Sequence, residues 1–143
     1  MRLPDVNLLV YAADEQAAGH ERALDWIQSS LSGTETVAFA WPALIGFLRV
    51  TTNPRALVNP WRPADAFDVI DSWLAQPNAA IVHPTARHAA ILRELLAPLG
   101  TGGNLTGDAH LAALAIEHGA TLYSSDNDFS RFAGLHWVDP LQA

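Results

Sequence analysis

The chain contains no cysteine and no lysine. The first absence excludes disulfides and thiolate metal sites. The second leaves eight arginines as the entire Lys/Arg complement. A guanidinium grips phosphate through a planar fork of donors, although a GC-rich genome favours the same bias. No apolar run approaches the ~20 residues of a membrane span. The opening MRLPDVNLLVYA lacks a basic n-region and a small-residue cleavage site, so we read no signal peptide. Together these absences lead us to expect a cytoplasmic protein with no membrane contact. A basic surplus is also missing. The net charge of −7 argues against a broad basic surface for nucleic acid. Internal repeats and low-complexity tracts are absent as well.

What is present is a 143-residue chain, half of it hydrophobic, which fits a single globular domain over 1–143 with one core. Short β-prone runs alternate with longer helical ones. Strands are expected around Arg2 to Asp5, Thr36 to Ala40, Ala79 to His83, in TLYSS, and in LHWV near the end. Between them, NLLVYAADEQ reads as a helix. Ala23, Trp26, Ile27 and Leu31 recur at helical spacing in HERALDWIQSSL. WPALIGFLRVTTN carries Pro42 in its first turn and stops at Asn53-Pro54. Pro63 opens a helix whose inward face is expected to hold Ala66, Phe67, Ile70, Trp73 and Leu74. Thr85 is expected to cap a helix bearing Ile91, Leu92, Leu95 and Leu96. PLGTGGN is a connecting loop. Leu111, Leu114, Ala115 and His118 then form a stripe that ends at a Gly119 cap. Strands alternating with helices imply an α/β sandwich on a mainly parallel sheet with helices on both faces.

In open parallel sheets, ligands bind beyond the carboxyl ends of the strands. Asp5 closes the first expected strand. Asp126 follows TLYSS, with Asp128 two residues later. Asp108 lies in the first turn of its helix, on the same edge as the preceding strand's C-terminus. Four acids therefore converge on one edge. Taken singly, Asp108 also suits a helix N-terminus, and Asp126 and Asp128 suit Asx turns. Together they raise one another's pKa unless a cation intervenes. Mg²⁺ prefers oxygen ligands, and it supports water attack at a phosphoryl centre. Oxygen-only ligands at strand ends therefore point to phosphodiester chemistry.

The segments DVNLLVYA (Asp5 to Ala12), LTGDAHLAALAIEHGATLYSSDNDFSRF (Leu105 to Phe132) and GLHWVDP resemble a PIN domain of the VapC toxin type. The resemblance spans nearly the whole chain. It implies a PIN-like three-layer sandwich and a Mg²⁺-dependent endoribonuclease, with Mn²⁺ as a possible substitute. It implies Asp5, Asp108 and Asp126 as the catalytic acids that hold the metal, and Asp128 as a further metal ligand or outer-shell acceptor. Asn7 is expected to brace the site through its amide. RNA is the implied substrate, cut to inhibit translation; a VapB-like antitoxin is the implied partner, and a homodimer the usual assembly. Many PIN nucleases carry a Glu in the helix after the second strand. WPALIGFLRVTTNPR has Gly46 near that position and no acid, like a VapC subgroup with an F-L-R-x-x-T-N-P signature. One ligand fewer favours a single Mg²⁺.

Arg49 on that helix is a supporting candidate, either for phosphate or as a brace for a carboxylate. Thr51, Thr52 and Asn53 are read as helix-ending residues, and His110 as lying off the metal-facing side. The Gly100 to Gly103 loop lacks the Gly-Lys-Ser/Thr of a phosphate loop. Trp26 and Trp73 are expected in the core, and Trp41 and Trp61 at an interface. Two alternatives stand beside the nuclease. One is a Mg²⁺-dependent phosphatase, for which the missing lysine is a handicap. The other is a catalytically weakened PIN-like module that only binds RNA or a partner.

Overall fold

The computed structural model describes residues 1–142. Its strands are β1 (Arg2–Pro4), β2 (Val37–Phe39), β3 (Ala79–Ile81), β4 (Thr121–Tyr123) and β5 (Trp137–Val138). They form one five-stranded sheet in the order β3-β2-β1-β4-β5, and every pairing is parallel. The helices are α1 (Val6–Ala13), α2 (His20–Leu31), α3 (Trp41–Thr51), α4 (Pro63–Leu74), α5 (His88–Leu96) and α6 (Thr106–Glu117).

Period-two alternation in the strands separates two buried clusters. Val37 and Phe39 join Leu8, Leu9, Trp26, Ile27, Phe47, Ile70 and Trp73 under α1–α4. Ala38 faces the other way and joins Leu3, Leu95, Leu111, Leu114 and Leu122 under α5 and α6. The sheet is thus the middle of three layers. Phe47 ties α3 to α4, with its ring 4.9 Å from Trp73, and Trp73 stacks on Phe39 at 5.9 Å. Truncating such a fully buried aromatic costs about 3–5 kcal/mol.

The first strand is central, yet it holds a proline. Pro4 has no N–H to give the ladder, so pairing with β2 is confined to Arg2 opposite Val37. The chain turns at once into α1. On the other side the ladder continues one residue past β1, through Asp5 N–H to the Tyr123 carbonyl at 2.9 Å. This anchors Asp5 to β4, at the carboxyl edge of the sheet.

Several sequence expectations change in detail. Phe67 is 48% exposed, because it lies about 100° round α4 from the inward stripe of Ala66, Ile70 and Trp73. Thr85 does not cap α5. The helix starts at His88 after Arg87, and the Thr85 hydroxyl accepts from the Arg87 N–H one turn earlier. Trp26 and Trp73 are buried as expected. Trp41 is 41% exposed, whereas Trp61 is half-buried with its ring edge-on to Phe47. No helix among the described residues is long and apolar enough to cross a membrane.

Candidate metal centre

Three loops deliver acids to the carboxyl edge of the sheet. Asp5 is the N-cap of α1, extended at φ −78° and ψ 162°, and its Oδ1 accepts from the Val6 N–H at 2.7 Å. Asp126 follows β4 and caps the 3₁₀ turn Asn127–Arg131, accepting from the Asp128 N–H at 2.9 Å. That Asx turn swings Asp128 back beside Asp126. Asp108 lies in the first turn of α6.

One carboxylate oxygen from each of Asp108, Asp126 and Asp128 lies within 4.8 Å of the others. Oxygens around a single octahedral Mg²⁺ stand roughly 3–4 Å apart, so a slight contraction would seat them on one ion. Asp5 lies outside this trio and is tied down more firmly. It is only 7% exposed, and its Oδ2 accepts from the Ser124 hydroxyl at 2.8 Å.

Sequence reasoning missed Ser124. Its side chain is fully buried, and its oxygen also accepts from the Asp126 N–H at 3.0 Å and the Asn7 amide at 3.2 Å. Its carbonyl takes the Trp137 indole N–H at 2.9 Å. One hydroxyl thus joins α1, β4 and the acidic turn. The available signal was its place two residues before Asp126, in the SSDNDF run of residues 124–129. Asn7 acts here through Ser124.

The electrostatics of these carboxylates favour a cation among them. Burial pushes the Asp108 carboxyl up to about 6, and Asp5, Asp126 and Asp128 push in the same direction. Burial also raises Asp5; the Ser124 and Val6 hydrogen bonds work against that, and Asp126 adds to it. Among the described residues, the one basic side chain paired with the trio is Arg131, 3.6 Å from Asp128 and well exposed. A hard divalent ion fits this donor set, which is all carboxylate and short of positive charge.

Neighbouring features separate cleanly. His110 turns away from the acids; its Nδ1 lies 2.9 Å from His88 Nε2, and His88 in turn bonds Glu117. Glu117 also accepts from the Thr85 N–H. Burial would raise Glu117, but these bonds outweigh it and hold the carboxyl below its ordinary range. Burial, then His88, lowers His110. This chain clamps α5 to α6.

Gly46 packs against α1. A Cβ there would fall 2.7 Å from Val6 Cγ2, so any side chain at 46 collides with the residue that follows Asp5. The expected gap in the acid set is therefore a steric one. Thr51 and Thr52 spend their hydroxyls on the carbonyls of Phe47 and Leu48, as helix-ending residues do. Arg49 is exposed and makes no hydrogen bond or ion pair among the described residues.

Comparison with known proteins agrees with this architecture. The PIN domain family model matches residues 2–135. Ribonuclease VapC37 of Mycobacterium tuberculosis is 44% identical over 140 residues, covering 98% of this chain and 97% of its own. Ribonuclease VapC33 of the same organism is 44% identical over 142 residues, with 99% of both chains covered. Among solved structures, VapBC2 from Rickettsia felis, bound to a DNA fragment from its promoter, matches with a TM-score of 0.70. Its identity is 19%, over 96% of each chain, a likeness of fold.

Proposed function

This chain belongs to the PIN-domain family, and from that premise we propose that it is a Mg²⁺-dependent endoribonuclease, the toxin of a type II toxin–antitoxin pair. The observation that carries the chemistry is the trio of carboxylate oxygens within 4.8 Å at the carboxyl edge of a parallel sheet, backed by buried Asp5. Relatives of nearly the same length and 44% identity bear the name ribonuclease, which supports RNA as the substrate. The solved VapBC complexes support a VapB-like antitoxin as the partner. We extend the reading to a homodimer that acts in the cytoplasm.

Asp108, Asp126 and Asp128 would hold the ion, with Mn²⁺ as a substitute. Bound there, the ion supplies positive charge against the charge developing on the phosphodiester. The chain's own residues do the rest. Asp5 is held by Ser124 and the Val6 amide, near enough for its charge to act on Asp108. Asn7 holds the Ser124 hydroxyl that orients Asp5. The Asx turn fixes the spacing of Asp126 and Asp128 before any ligand arrives, which lowers the cost of ordering them.

The test is incubation of a mixed RNA pool with the protein, with and without Mg²⁺, beside Asp5→Asn, Asp108→Asn and Asp126→Asn. The expected result is Mg²⁺-dependent cleavage, reduced at least a hundredfold in each folded variant, with Mg²⁺ binding weakened in the Asp108 and Asp126 variants. Cleavage that persists in EDTA would overturn the mechanism. Neither cleavage nor Mg²⁺ binding by the wild type would leave a PIN-like binding module.

A further inference from the structure

Arg49 has no hydrogen-bond or ion-pair partner among the described residues, yet its position is specific. A helical side chain leans toward the helix N-terminus. Arg49 on α3 does so, placing Nη2 3.9 Å from where a Cβ on Gly46 would stand. That same point lies 2.7 Å from Val6 Cγ2. The guanidinium therefore sits one turn up α3, beside the point where Gly46 packs closely against Val6. It adjoins the first residue of α1, next to Asp5. No acid there claims it. Asp5 is satisfied by Ser124 and Val6, and Asp128 stands beside Arg131. The influences acting on the Asp5 and Asp108 carboxyls are burial, hydrogen bonds and other acids, with no arginine among them.

A polyanion approaching this edge meets four carboxylates on a chain of net charge −7. Even with a divalent ion bound, the trio and Asp5 together carry at least as much negative charge as the ion neutralises. Phosphates on either side of the scissile one need a cation of their own. A guanidinium beside Val6, the residue that follows Asp5, with its fork unpaired among the described residues, suits that need. Accepting the site as an RNA-cleaving centre, we propose that Arg49 grips a backbone phosphate flanking the scissile one, so that the strand crosses the sheet edge between α3 and the Asp126–Arg131 turn.

The experiment follows binding of a labelled mixed-sequence single-stranded RNA by fluorescence anisotropy at several salt concentrations. Ca²⁺ replaces Mg²⁺, and gels confirm that the RNA stays intact. Wild type is compared with Arg49→Gln, Arg49→Lys and, on the opposite face of the sheet, Arg93→Gln. Losing one phosphate contact on a single strand should reduce the slope of log K against log salt by about 0.7. Arg49→Gln should show that drop and bind about tenfold more weakly at moderate salt. Arg49→Lys should keep the slope while losing part of the affinity, and Arg93→Gln should match wild type. A purely structural arginine would leave the slope unmoved, or would suffer equally from lysine and glutamine. If wild type binds RNA and Arg49→Gln keeps its full slope, the Arg49 assignment falls and the nuclease reading stands. If wild type does not bind RNA at all, both fall.

Discussion

Replacing Asp108 by Asn removes one charge from the acidic trio while keeping its shape. Folding raises this carboxyl from 3.8 to about 6, so the folded protein holds the proton where the unfolded chain has lost it. The folded state is therefore favoured while Asp108 is protonated, fully below about 3.8, and that advantage is gone once pH climbs past about 6. Above that, the ionised group works against folding. Undiminished, the shift corresponds to about 3 kcal/mol; at a half-exposed carboxyl, solvent screening reduces it to about 1–2 kcal/mol. Asp108→Asn should then melt about 3–8 °C above wild type at pH 8 in EDTA. The gain should shrink as pH falls from 6 toward 4. Added Mg²⁺ should reverse the order, since a hundredfold excess over Kd stabilises a binding-competent protein by about 2.7 kcal/mol and the variant has lost a ligand. Thermal melts at pH 8, 6 and 5, each with EDTA or Mg²⁺, measure all of this. An Asn variant less stable than wild type at pH 8 in EDTA, or a difference that does not change with pH, would refute the account of a repulsive site relieved by a cation.

Three further outcomes follow from the geometry. Ser124→Ala should cost about 1–3 kcal/mol by urea unfolding, because Asp5, Asn7 and the Asp126 N–H all lose their common partner, and cleavage should fall with it. Gly46→Ala should destabilise by about 1–3 kcal/mol despite better helix propensity, and Val6→Ala in the same chain should recover most of the loss, which a double-mutant cycle measures. Glu117→Gln leaves a single acceptor oxygen for two part-buried donors, Thr85 N–H and His88 Nδ1. Amide exchange at Thr85 should accelerate, and urea midpoints should drop by the equivalent of about 1–3 kcal/mol.

Much of the scaffold is legible along the chain because it depends on local periodicity. VAF alternates between the two cores, and Ala23, Trp26, Ile27 and Leu31 form the buried stripe of α2. The acids are legible as well, since a strand-to-helix junction and an Asx turn have local signatures at Asp5, Asp108, Asp126 and Asp128. What escapes is whatever depends on residues distant in sequence. Ser124 resembles any loop serine until β4 lies beside β1. Glu117 and His88 are 29 residues apart and meet only through the packing of α5 on α6. Phe67 escapes for a different reason: at the margin of a helical stripe, one residue of angle decides between core and solvent. The trio's separation from Asp5 is likewise a tertiary fact, set by which acid Ser124 captures.

The bond between Asp5 and Ser124 joins residues 119 positions apart, and that separation has a meaning in time. A ribosome adding roughly 5–20 residues per second needs roughly 6–24 s to travel from one to the other. Throughout that interval the emerging polypeptide has its first acid and none of the turn that completes the centre. A nuclease built this way has an incomplete acid cluster while it is being made. A chain released before β4 lacks Ser124, Asp126 and Asp128, and the centre is complete only when the final sixth of the chain folds back onto the first strand.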